Sequence, residues 1–327
     1  MSTQRRTVLA SLAALAAWPL AGRAQPIEQG RILYGFPAGS AGDIAARRVA
    51  ERLGGSAYAK AVPIVDNRPG AGGRLALEAL KSAPADGSVL ALTPMAMTSI
   101  YPHVYRKLAY DPVADLVPVS IAAVTHHGLA VGPAVPASVT DVKGFIEWAK
   151  ANPDKANYGS PGAGSTPHFL GALLGLGRGV ELRHVPYRGS VPGVTDVVGG
   201  QIAAMVTPTG DFLTFQRAGK LRVLATSGRS RLPFASDIPT FAEQGFGDLT
   251  TEEWFGFYAP ARTPAAMIAV ANTAINAALK EKSVIDGLVA VGLIAQGSTA
   301  EAMARSQRAE LERWGPLIKR IGFTADS

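Results

Sequence analysis

The sequence predicts an α/β fold in two domains. Three observations carry this. Strand and helix signals alternate through nearly all of residues 25–327. Glycine-rich loops recur at strand-to-helix junctions, at 37–43, 67–73 and 159–168. A chain of 327 residues is also long for one hydrophobic core. A hydrophobic share of 47% with 17% charged residues is that of an ordinary globular chain.

Residues 1–24 are set apart from the fold. Arg5-Arg6 precedes the apolar run Val8 to Leu20, and Gly22-Arg23-Ala24 places small residues before a cleavage point. This reads as a cleaved secretory signal, too short to span a membrane, with a twin-arginine resemblance in Arg5-Arg6-Thr7-Val8-Leu9. The mature chain is expected to begin near Gln25. Loss of Arg5, Arg6 and Arg23 lowers the formal charge from +7 to +4. With no long basic run and no aromatic-interleaved basic patch, nucleic acid is not an expected partner. The chain has no cysteine, which excludes disulfides, thiolate metal sites, cysteine nucleophiles and a lipid-anchored cysteine.

Ile32-Leu33-Tyr34 reads as the first strand. A helix follows, with Ala46, Val49, Ala50 and Leu53 on one face. Between them lies Phe36-Pro37-Ala38-Gly39-Ser40-Ala41-Gly42-Asp43. The first amides of a helix lack intrahelical partners and carry the positive end of its dipole. Small residues there let a carboxylate or phosphate approach the backbone. A plain strand-to-helix turn, with Asp43 stabilising the first helical turn, is the alternative. Val62–Val65 is the second strand, and 67–73 the second loop, which lacks the nucleotide-binding GxxxxGK[ST] pattern. A helix carrying Ala76, Ala79, Leu80 and Ala83 leads to a strand at 89–92. A mainly parallel sheet is expected. Tyr101–Pro118 reads as a connection.

The extended stretch 117–124 and the strand Gly128–Val131 carry the chain into a second domain. Residues 138–151 form a helix with Val142, Phe145, Ile146 and Ala149 on one face, and Ser138 and Asp141 at capping-box spacing. The third loop, 158–168, opens a helix whose apolar side is Phe169, Leu170, Leu173 and Leu174. Leu182–Tyr187 is a strand, and Ser190 is the expected N-cap of the helix at 191–198. Ile202–Val206 and Leu221–Ala225 are strands, with a helix opening at 207–211. Trp254–Pro260 returns to the first domain. Helices follow from Thr263-Pro264 and from Ser298, with Glu301 at capping-box spacing. The expected domains are 25–125 with 256–327, and 126–255. No internal repeat is evident.

The loops 37–43, 159–168 and 187–190 would gather at the carboxyl ends of their strands. If they come from two domains, they face a shared cleft that an anion can close. Catalysis and metal binding are weaker readings. Around Ser160 and Ser165 the G-x-S-x-G frame is incomplete, and no third triad member can be named for His168. His126 and His127 are adjacent on a strand and point to opposite faces, so they cannot readily share an ion. His103 and His184 lack a partner at ligand spacing, so the histidines read as solvated or locally bonded. Tyr34, Tyr158 and Tyr187 line either the cleft or the core.

Together these loops resemble the Bug (TctC-like) family, the substrate-binding proteins of tripartite tricarboxylate transporters. The resemblance rests on 36–43 and 67–73, Ala83-Pro84-Ala85-Asp86-Gly87, Lys107-Leu108-Ala109-Tyr110-Asp111-Pro112, 185–190, Gly199-Gly200-Gln201 and Ala218-Gly219-Lys220-Leu221-Arg222. It implies a type II-like periplasmic-binding-protein clamshell with two crossover segments. Such a protein is not an enzyme and needs no cofactor or metal. It captures a small organic anion, a carboxylate, and as a monomer delivers it to a membrane permease. Carried over, Phe36, Gly39, Ser40 and Gly42 belong to the loop that holds the carboxylate, and Asp43 orients a bridging water. Ser160, Gly164, Ser165, Thr166 and His168 grip from the second domain. Tyr187, Gly189 and Ser190 shape the distal end, where Thr207 also stands. Ser40 replaces a common family glycine, and Thr207-Pro208-Thr209 departs from the family's apolar-acidic pattern, so ligand identity is not borrowed. A secreted hydrolase using Ser160 or Ser165, and a receptor that presents ligand to a sensor kinase, are the alternatives.

Overall fold

The structure, a computed structural model, describes residues 25–325; the expected signal lies outside them. In chain order the elements are β1 (Ile27–Tyr34), α1 (Ala41–Leu53), β2 (Ala59–Asn67), α2 (Arg74–Lys81), β3 (Val89–Pro94), α3 (Ala96–Ser99), α4 (Tyr101–Val104), β4 (Leu116–Thr125) and β5 (His127–Val131). Then come α5 (Val142–Ala151), β6 (Asn157–Ser160), α6 (Thr166–Leu176), β7 (Arg183–Pro186), α7 (Ser190–Val198), β8 (Ala204–Pro208), α8 (Leu213–Arg217) and β9 (Arg222–Thr226). The chain ends with β10 (Glu253–Pro260), α9 (Ala265–Ala278), α10 (Lys282–Val289), β11 (Ile294–Ala295) and α11 (Ala300–Ile321).

Two sheets result, ordered β11-β4-β10-β3-β1-β2 and β7-β6-β8-β5-β9. They are mixed rather than mainly parallel. In the first sheet β10 runs antiparallel to β3 and β4. In the second, β5 runs antiparallel to β8 and β9. Apart from the short β11, which is antiparallel to β4, the exceptions are the strands that enter each sheet straight from the other. A single residue, His126, separates β4 from β5, so the chain crosses without turning. β1, β2, β3 and β4 therefore run toward the crossing, and so do β6, β7 and β8 from the other side. The loops that follow these strands meet at two opposed edges, where α/β sheets place their ligands.

One face of the first sheet is sealed by α1, α9 and α10, with Ala46, Val49, Leu53, Ile268 and Ile275 buried between them. The other face belongs to a cluster that continues into the second half through α6 and α11, where the Phe169 and Trp314 rings lie 6.0 Å apart. Two main-chain approaches also join the halves. Gly164 lies against Val104 and Phe323. Gly210 and Gly292 meet back to back, and a Cβ on Gly210 would lie 2.7 Å from the Gly292 Cα.

Several element starts differ from expectation, two of them because another side chain takes the capping bond. Asp141, not Ser138, caps α5 by accepting from the Gly144 amide. Thr299, not Ser298, caps α11 through the Ala302 amide, while Ser298 Oγ accepts from the Ile121 amide at 2.9 Å. Ser190 lies inside α7 rather than capping it, and its hydroxyl is bonded to Thr207. The connection after Tyr101 opens with the short helix α4.

Candidate functional site

The loop after β1 and the loop after β6 are one structure built twice. Ala38-Gly39-Ser40 leads into α1 as Ala163-Gly164-Ser165 leads into α6. Gly39 and Gly164 both take left-handed φ values, 84° and 78°. Ser40 and Ser165 are the N-caps, with ψ of 160° in each. Each serine hydroxyl donates back three residues, to Pro37 O at 2.7 Å and to Gly162 O at 2.6 Å. In each loop the glycine amide donates forward four residues. Gly39 N–H reaches Asp43 Oδ2 at 2.8 Å, and Gly164 N–H reaches His168 Nδ1 at 3.1 Å. This local repeat escapes a search by residue identity, because only Ala-Gly-Ser is shared and the acceptors differ.

The first copy is braced by charge. The Asp43 side chain is buried. It accepts from Arg47 Nε at 3.0 Å and from Asn67 Nδ2 at 2.8 Å, and Asn67 also donates to Phe36 O. Burial acts to raise the Asp43 carboxyl. The bonds from Arg47, Gly39 and Asn67 outweigh it and hold the carboxyl below the usual range. Asp43 thus shapes the loop, and its oxygens are committed to protein donors. The Gly39 amide is committed too. Gly42 lies against the buried Tyr34 hydroxyl, which a Cβ there would overlap. Phe36 is partly buried, its ring 5.5 Å from that of Tyr34. Ala41 and Asp43 offer amides of the first helical turn that have no partner among the described residues.

The second copy is braced without charge. His168 and His184 stack with ring centroids 3.9 Å apart, and Phe323 packs edge-on against His168. Burial holds both imidazoles neutral, lowering His168 to about 3, with His184 contributing, and His184 to about 4. A neutral His168 is what Nδ1 must be to accept from Gly164. Ser160 Oγ lies 2.7 Å from His184 Nε2 and 3.0 Å from Gly162 O. This serine–histidine contact is not built as a hydrolase centre. Ser160 is fully buried, and His184 is backed by a neutral imidazole instead of a carboxylate. Thr166, at the start of α6, is buried with its Oγ1 unpaired among the described residues.

The third group stands beside the crossing. Gly189 N–H donates to Pro161 O at 2.9 Å, tying the 187–190 loop to the β6 loop. Tyr187 turns its hydroxyl to Asp196 at 2.7 Å. Thr207 Oγ1 lies 2.9 Å from Ser190 Oγ and 2.8 Å from Asp211 Oδ2. The crossing itself is clamped. His126 Nε2 pairs with Glu252 at 3.5 Å and His127 Nε2 with Glu253 at 3.0 Å, joining the two strands that pass between the halves. Glu253 Oε1 also receives the Ala96 amide of α3, at 3.4 Å. The two adjacent histidines do diverge, each to its own glutamate, and they are buried instead of solvated. Among the described residues no three histidine or acidic side chains cluster as metal ligands would.

The fourteen residues named from sequence lie in the loops after β1, β6 and β7, in the strand end and helix starts that flank those loops, and at the end of β8. Sequence reasoning missed Arg47, Asp211, and the His127–Glu253 and Ser160–His184 contacts. The i, i+4 spacing of Asp43 and Arg47 could have revealed the first; Thr207 and Asp211 share that spacing, and the other two contacts join residues distant in sequence. Tyr34 and Tyr158 are core, while Tyr187 is partly buried. A separate groove of about 410 Å³ lies beside α2, lined in part by Arg31 and Arg68. Both arginines pair with Asp66.

Comparison with known proteins places these features. The profile described as "Tripartite tricarboxylate transporter family receptor" matches residues 45–323. A UPF0065 protein from the tcbD-tcbE intergenic region of Pseudomonas sp. (strain P51) is 34% identical, covering 89% of this chain and 85% of its own. Protein BugT of Bordetella pertussis is 30% identical, covering 93% and 92%. Among solved structures, R. palustris Rpa4515 with adipate superposes with a TM-score of 0.82 at 31% identity, covering 95% of this chain and all of that one (100%).

Proposed function

The chain belongs to the tripartite tricarboxylate transporter receptor (TctC) family of solute-binding proteins, and on that footing we propose that it captures a small organic anion, a carboxylate, between its two halves. One observation carries the reading. Two copies of the same glycine-serine turn, one from each sheet, present helix N-termini at opposed edges of a single crossing. Unpaired amides and the positive helix end favour a carboxylate from either side. Carboxylate capture is further supported by the adipate that R. palustris Rpa4515 holds.

The lobes in this reading are 25–125 with 256–327, and 126–255. Ala41 and Asp43 offer amides from the first lobe, and Thr166 grips from the second, beside the turns shaped by Gly42, Gly164 and Ser165. Phe36 and Tyr187 border the guest, with Gly189, Ser190 and Thr207 at its far end. Gly39, Asp43, Ser160 and His168 hold the loops in shape. The protein works in the periplasm after signal cleavage, as a monomer, and hands its guest to the permease subunits of a tripartite transporter. Family membership supports that delivery.

The test is thermal unfolding of protein beginning at Gln25 against a panel of mono- and dicarboxylates. At least one member should raise Tm in a concentration-dependent way and be recovered unchanged. A flat response to every acid would remove the reading.

A further inference from the structure

The wall formed by Ser190, Thr207 and Asp211 has the opposite polarity to the two glycine-serine turns. Those turns offer donors; this wall ends in an acceptor. Asp211 keeps part of its surface exposed, and Thr207 Oγ1 lies 2.8 Å from its Oδ2. Ser190 Oγ lies 2.9 Å from the same threonine oxygen, so a hydroxyl chain ends on the carboxylate. Burial raises the Asp211 carboxyl, and the Ser190 and Thr207 hydroxyls turned toward it work against that rise. No lysine or arginine pairs with Asp211 among the described residues; the histidine facing it, His127, already serves Glu253. Beside His127, therefore, two carboxylates face one imidazole, and Asp211 retains acceptor capacity.

Resting on the carboxylate reading above, we propose that the end of the guest remote from its carboxylate carries a hydrogen-bond donor, an ammonium or a hydroxyl group, received by Asp211. A second carboxylate at that end would meet the Asp211 charge in a partly desolvated corner, where like charges repel more strongly than in water. Burial raises the Asp211 carboxyl, which a donor from the guest would offset. The site is then selective for amino- or hydroxy-monocarboxylates over unbranched dicarboxylates of the same length. This discrimination uses a repulsive element as well as an attractive one.

The experiment is isothermal titration of the mature protein with matched acids of three to six carbons. At each length the probes are the plain monocarboxylate, its ω-hydroxy and ω-amino forms, and the dicarboxylate. The ω-hydroxy or ω-amino member should bind at least tenfold tighter than the plain acid and the dicarboxylate of its length. The two arms show which donor is used. Asp211→Asn, which keeps shape and removes charge, should reduce that preference to less than threefold; Asp211→Ser, with its unliganded Tm, controls for folding. A protein that binds the panel but prefers a dicarboxylate, or whose preference survives both substitutions, overturns this inference and leaves carboxylate capture standing. A protein that binds no member overturns both.

Discussion

The two glycine-serine turns share their backbone conformation and the serine-to-carbonyl bond, and differ most in what receives the glycine amide. In the β1 loop it is a carboxylate tied to Arg47 and Asn67. In the β6 loop it is an imidazole kept neutral under a second imidazole. The difference teaches that such a turn needs an acceptor four residues on, and that charge is optional. The charged version sits on the surface of its sheet, where Arg47 can stay half in water. The neutral version sits under Phe323 and α11, where an unpaired carboxylate would be costly.

Acid should separate the two copies most sharply. His168 and His184 are lowered from 6.5 to about 3 and about 4, so the unfolded chain binds protons that the folded chain refuses. Their contribution is complete above about pH 6.5. It is lost as pH falls through that value toward the folded values of the two rings. Each refused proton costs about 1.4 kcal/mol per pH unit, so at pH 4.5 the loss is about 3 kcal/mol for His168 and less for the more exposed His184. Urea unfolding at pH 7 and pH 4.5 measures it. The penalty of His184→Gln should be larger at pH 7 than at pH 4.5; equal penalties would sever the stack from acid sensitivity.

Asp43→Ala breaks the charged copy. It strands the Gly39 amide and Asn67 and should cost about 2–4 kcal/mol in urea unfolding at pH 7. It should also weaken any bound acid, through loop shape. Asp43→Asn should recover part of both, and a variant with wild-type stability and affinity would show that the brace is dispensable. The caps give the smallest contrast. Ser165 accepts from the His168 amide, whereas Ser40 makes no such bond. Ser165→Ala should therefore cost about 1 kcal/mol and Ser40→Ala about half that, read as Tm differences. The reverse order would mean that the hydroxyl bonds to Pro37 O and Gly162 O matter more than the caps.

The fold is legible in the sequence because its signals are local. Apolar spacing marks α1, α5 and α9, and glycine-serine runs mark the loops before α1 and α6. Strand direction is not legible, since whether β10 enters its sheet from above or below depends on the crossing, which no local pattern encodes. The α10 helix and the short β11 escape for want of a distinct start signal before Lys282. Within the site, loop positions can be read but bonds cannot. Sequence assigns Asp43 to orienting water, and the structure commits it to Arg47, Asn67 and the Gly39 amide. Asp211 goes unmarked because a lone acid after a Thr-Pro-Thr stretch looks like helix-start chemistry. Only the fold makes it a wall, by bringing Ser190 to Thr207 from 17 residues away and Asp211 from 4.

Gly210 and Gly292 touch with no side chain between them. On that flank the halves stand as near as two polypeptide backbones can approach. One methyl at either position would act as a doorstop that holds the halves apart on that side. In the proposed reading, the size of guest accepted can then drift through a residue that never meets the guest.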